Sequence, residues 1–181
     1  MSPYLMPQFL NSTSKDSSDV SILSEPPSTD LPTYLNSTNL SLTYNTSAHF
    51  TIHYTDSGTN VVFNASDRIN GVPRYVVELG NLFEYTWTTE VENYGFKGPL
   101  DGDITNDLKN RLHVYIRNID TTLGSTYPFA INTSTGKGLA NISHTFIEIE
   151  NDFDGFVGSR EGLMNVTTAH EFFGADLLKL G

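Results

Sequence analysis

The chain has 181 residues, room for one domain with a tail, and its 38% apolar and 12% aromatic content suits a packed core. A formal net charge of −11 repels phosphate backbones and anionic bilayers, so no nucleic acid partner is expected. There is no cysteine, which excludes disulfides and thiolate metal sites, and no apolar run near the ~20 residues that a membrane span requires.

Residues 1–47 are rich in Ser, Thr, Asn and Pro and show no sustained period. Such a segment buries too little apolar area to offset its ordering entropy, so a flexible leader is expected, with an extended piece around Leu40–Tyr44. Its first ten residues lack the basic start and apolar centre of a signal peptide. Residues 48–181 form the expected domain. Phe50, Ile52 and Tyr54 alternate with His49, Thr51 and His53, which predicts a half-buried strand. Asp56-Ser57-Gly58 then turns the chain. Gly71-Val72-Pro73 opens the longest helix, because a proline in the first turn lacks only an N–H that had no helical partner. Val72, Val76, Leu79, Phe83, Trp87, Val91 and Tyr94 recur at spacings of three and four, one apolar stripe, and Gly95 stops it. Leu112, Val114 and Ile116 mark a second strand. Residues 120–141 read as loops around short extended pieces, and His144–Glu150 as a third strand. Helical character resumes near Glu161. The order is strand, long helix, two or three strands, helix, an α+β pattern.

The glycosylation sequon N-x-[ST] begins at Asn11, Asn36, Asn39, Asn45, Asn64, Asn132, Asn141 and Asn165. With roughly a fifth of the residues Ser or Thr, about three would arise by chance. The excess, with the acidity, points to a secreted or cell-surface glycoprotein.

The chemistry concentrates near the end. Residues 162–173 are apolar and helical in character and carry His170-Glu171-Phe172-Phe173, followed by Gly174. With His at 174 this would be the zinc-protease signature H-E-x-x-H. Residues four apart on a helix are separated by about 400°, nearly one face, so two such imidazoles share one Zn²⁺. A third ligand comes from elsewhere, and the Glu after the first His serves the bound water as general base. In this chain Gly174 has no side chain, Phe173 and Leu177 cannot bind zinc, and Asp176 falls on the far side of the helix.

Thr167–Phe173 resemble the active-site helix A-H-E-F-F-H-A of secreted zincin-like metallopeptidases of bacteria and archaea. The resemblance runs over residues 48–173. It takes in His49–Thr55, Asn70–Val76, Glu84–Trp87, the stretch Tyr94–Gly102 and the strand Phe146–Asp152. It implies the N-terminal half of a zincin: a twisted mixed sheet, a long backing helix and an active-site helix, with peptide substrate running antiparallel to an edge strand. It implies His170 as the first zinc ligand, Glu171 as the general base, and a peptide or protein substrate. It also implies a second His at 174 and a ligand beyond residue 181. The chain is therefore expected to bind no zinc at His170 and to cleave nothing, and to self-associate through the face its second half would cover. Gly174 admits three origins: a frameshift near its codon, natural loss in an inactive relative, or a chain cut within this helix. The competing reading is a non-catalytic secreted or cell-surface binding module.

Other polar residues read as structural. His49 and His53 share a strand face and could pair on a metal, but a solvated face is the simpler reading; His113 and His144 are structural. Asp101, Asp103, Asp152 and Asp154 fit turns better than calcium loops, and Arg68 occupies what the resemblance implies would be a ligand position in an acidic loop before Asn70. Glu148 and Glu150 are expected on a solvated strand face.

Overall fold

The computed structural model of the protein describes residues 39–99, 111–131 and 142–177. Five strands form one mixed sheet: β1 (Leu42–Asn45), β2 (Phe50–Tyr54), β5 (Leu112–Arg117), β6 (Gly124–Ile131) and β7 (Ile142–Glu150). A separate two-stranded hairpin consists of β3 (Arg68–Ile69) and β4 (Val72–Pro73). The order across the main sheet is β1-β2-β5-β7-β6. The central strands β2, β5 and β7 run parallel, and β1 and β6 are antiparallel at the two edges. Helices α1 (Arg74–Trp87) and α2 (Arg160–Leu177) pack on one face of the sheet and against each other. Neither described helix is long and apolar enough to cross a membrane.

The alternation in the strands decides which side is core. Phe50 and Ile52 of β2, Val114 and Ile116 of β5, and Ile147 and Ile149 of β7 are fully buried under the helices. They meet Val76, Leu79 and Phe83 of α1 and Phe172 and Ala175 of α2 in one cluster. Contact is close enough that a Cβ on Gly80 would lie 2.9 Å from Thr46 Cγ2 and 3.0 Å from the Tyr44 ring.

Four expectations shift. Leu42–Asn45, within the stretch expected to be leader, pair with Thr51–Tyr54 as an edge strand; residues 1–38 lie outside the described residues. The helix start is preceded by the small hairpin. Asn70 and Gly71, between β3 and β4, both take positive φ, 51° and 86°. Asn-Gly is the pair that adopts such a turn most readily, so Val72 belongs to the hairpin, and α1 begins after Pro73. At the other end, Thr88–Asn93 widen into a π-helical stretch, with the Tyr94 N–H donating to Thr89 O at 3.1 Å. The wider turn rotates the residues after it off the stripe. Tyr94 is consequently 71% exposed, whereas Trp87 is buried. Finally, the region read as loops contains the eight-residue strand β6. Pro128 disguises it; a proline is tolerated because β6 is an edge.

Candidate functional site

Helix α2 presents Met164, Thr167, Thr168, Glu171, Phe172 and Ala175 inward, a run at spacings of three and four. His170 falls on the exposed side. Glu171 is one position further on, some 100° round the helix, and its side chain turns toward edge strand β6. There Thr126 Oγ1 lies 2.8 Å from Glu171 Oε2 and 2.7 Å from its backbone oxygen, two acceptors for one hydroxyl. Only glycine fits at 124: a Cβ would stand 2.8 Å from Glu171 Cγ and 2.8 Å from Thr167 Cγ2. Thr126 and Gly124 are not legible in the sequence as site residues, since the strand itself is hidden there.

Gly174 faces the same strand. A Cβ built there would be 3.5 Å from Thr126 Oγ1, ordinary contact distance, so the backbone leaves room for a side chain. Phe173 is 40% exposed and meets Phe96 edge-on, with centroids 6.0 Å apart. Asp176 is buried on the other side, toward α1, where its charge adds to burial in raising the carboxyl of Glu90. The predicted ligand and base therefore sit side by side on α2, with no second imidazole. Among the described residues no three His, Asp or Glu side chains converge as a metal site. A zinc ion is not matched by this donor set.

Two stretches singled out in the sequence, His49–Thr55 and Glu84–Trp87, meet in the structure. Glu84 of α1 grips the turn before β2: its Oε1 accepts from Thr46 Oγ1, from Ala48 N–H at 3.0 Å and from His49 N–H at 2.8 Å. Its Oε2 meets His49 Nδ1 at 2.7 Å. Burial pushes the carboxyl up, but these donors outweigh it and hold it below its ordinary range. The His49 ring lies flat on Trp87, centroids 4.0 Å apart. Two stretches 35 residues apart in the chain are thus one contact.

His49 accordingly does not pair with His53. On the sheet face away from the helices, His53 Nε2 lies 2.7 Å from His113 Nδ1, and His53 stacks on Tyr115 at 4.4 Å. Burial lowers both imidazoles to about 4; the charge of His53 adds to the effect on His113. Leu40 packs on Tyr115 and Phe146 of the same face. The solvated-face expectation for Glu148 and Glu150 is overturned: they are 0% and 3% exposed. Glu148 pairs with Arg117 Nη2 at 2.8 Å, and Glu150 accepts from Ile119 and Asn151 N–H at 2.8 and 3.0 Å. Alternation tells the two faces apart but not whether the second is covered.

Asp152 and Asp154 serve the turn and helix start: Asp152 Oδ1 accepts from Asp154 N–H, and Arg160 bridges to Asp154 at 2.7 Å. Arg68 neutralises Asp56 at 2.7 Å. Asp101 and Asp103 lie outside the described residues, as does the side chain of His144. Comparison with protein-family models, with curated proteins and with solved structures finds no match.

Proposed function

We propose that this chain carries the N-terminal half of a zincin-like, extracellular zinc-dependent metallopeptidase and that, with glycine at 174, it does not hydrolyse peptides. The observation that carries this reading is the placement of His170-Glu171 on a helix beneath an antiparallel edge strand, with Glu171 tied to that strand through Thr126. The order of elements, two sheet strands, a small hairpin, a helix, three strands and a second helix, contains the strand, helix, strands and helix expected of that scaffold. A peptide adding to the open edge of β6 would pass over this part of α2. His170 alone offers one imidazole, whereas a zinc centre of this class needs two from the helix and a third ligand.

The experiment is a zinc titration of the chain, of His170→Ala and of Gly174→His. The expected result is no His170-dependent stoichiometric binding in the unaltered chain, and a gain in affinity on Gly174→His that His170→Ala abolishes. Tight binding by the unaltered chain that is lost in His170→Ala would overturn the reading. The second reading, a secreted or cell-surface binding module, is favoured by Glu171 serving as a tether for β6. A Gly174→His chain that gains no zinc affinity moves it ahead.

A further inference from the structure

A groove of about 560 Å³ lies between the N-terminal halves of α1 and α2 and takes in the turn at Phe63–Asp67. It is separate from His170 and Glu171; the last α2 residue lining it, Asn165, precedes Glu171 by six positions, about 9 Å of helix rise. Its size falls within the roughly 300–1,000 Å³ common for small-ligand sites. Tyr75 and Met164 supply a buried apolar base, and exposed Asn64, Glu78, Glu161 and Asn165 stand around it. Both of its arginines are already committed. Arg74 Nε holds Asp67 at 2.8 Å, and Arg160 lies 3.3 Å over the Phe63 ring while bonding Asp152 O and Asp154. The groove is therefore poorly suited to an anion. Amides and carboxylates around an apolar base instead match a sugar, whose hydroxyls bond the former and whose C–H face covers the latter.

Two of those residues, Asn64 and Asn165, are also sequon asparagines, and both are exposed. We propose that Asn64 and Asn165 carry N-linked glycans and that the groove they flank seats the innermost sugars. The inference rests on the extracellular reading above. In the modification, the Asn Nδ2 displaces the diphosphate of a polyprenyl-diphosphate-linked oligosaccharide. A C1–N bond forms, the C1–O bond to the diphosphate breaks, the diphosphate leaves with the electron pair, and the amide gives up one proton.

The two sites differ in when they can react. Ser66 of the Asn64 sequon is exposed, so that site is open in the folded chain. Thr167 of the Asn165 sequon is 3% exposed, and its methyl group lies against Gly124. Its hydroxyl can be read by a transferase only before α2 docks on β6. Occupancy at Asn165 therefore competes with folding, and occupancy at Asn64 does not.

The test is secretion of the whole chain behind an added signal peptide from a eukaryotic host, with site occupancy mapped by mass spectrometry and Tm measured before and after enzymatic glycan removal. The expected result is occupancy at both sites and a Tm loss of a few degrees on removal. Asn165→Gln should reproduce most of that loss. Asn45→Gln, on edge strand β1 away from the groove, should not. Gly124→Ala, which delays docking of α2, should raise occupancy at Asn165 and leave Asn64 unchanged. Occupancy at Asn39 and Asn45 without Asn64 and Asn165 overturns the groove proposal alone. Absence of glycan at all four overturns it and also removes the support that the sequons lend to the extracellular reading. Occupied sites whose trimming leaves Tm unchanged overturn the seating.

Discussion

The two faces of the sheet are built on different chemistry. Under the helices, Phe50, Ile52, Val114, Ile116, Ile147 and Ile149 present only hydrocarbon. On the other face the same strands bury Tyr115 and Glu148 and half-bury His53 and His113, with Arg117 as counter-ion to Glu148. Hydrocarbon burial does not depend on protonation, whereas buried imidazoles and carboxylates do. The hydrocarbon of the first face should contribute at any pH, and the imidazoles of the second should limit the pH range in which the fold is stable.

Acidification is the largest lever on that difference. Burial lowers His53 and His113 from their ordinary value of 6.5 to about 4 in the folded chain. The unfolded chain therefore takes up these protons first. The stability tied to the neutral pair is fully present above pH 6.5 and is lost as pH falls toward 4, at up to about 1.4 kcal/mol per pH unit for each imidazole. Urea unfolding at stepped pH should show the slope, and His113→Gln should roughly halve it. A stability curve flat from pH 6.5 to 4 would remove the contrast between the faces.

Next in size is Glu84→Ala. It strands the donors of Thr46, Ala48 and His49 on the helix-covered side and should cost about 3 kcal/mol, since bonds to a charged group are each worth about 1.5–3 kcal/mol. Thermal unfolding should fall by about 6–12 °C for a domain of this size. An unchanged Tm would show that the turn before β2 holds without α1. Gly124→Ala should come third at about 2 kcal/mol, by overpacking. The added methyl meets Glu171 Cγ and Thr167 Cγ2 at 2.8 Å and the backbone oxygen of Glu148 at 3.1 Å, and the last of these cannot swing away. Chemical denaturation that finds the variant as stable as its parent would mean that α2 is free to shift off β6.

Legibility in the sequence divides along the same line. β2, β5, β7 and α1 declare themselves because one face of each is continuous hydrocarbon and the period is visible. β1 shows only as an extended piece around Leu40–Tyr44 in an Asn- and Thr-rich stretch, because half of an edge strand faces water. β6 hides behind Pro128. The pairing of His53 with His113 depends on the register of β2 against β5, and no local pattern encodes that register. The buried Glu148 looks solvated in a string of letters, because burial of the second face depends on what packs over it. At the candidate site the His-Glu pair is visible, but its tether to Thr126 is not, since it joins α2 to the strand that composition conceals.

That tether gives the smallest expected effect and the most direct view of Glu171. Thr126→Val keeps the shape of the side chain and removes its hydroxyl, the described donor to Glu171 Oε2. Glu171 is 8% exposed, and one hydrogen bond to it should be worth about 1 kcal/mol. If Glu171 is purely a tether, Glu171→Met, which removes the acceptor, should cost about the same, and the double variant should cost no more than either single one. A double variant whose losses add would place the two groups in separate roles, leaving Glu171 free for the chemistry that the helix motif implies.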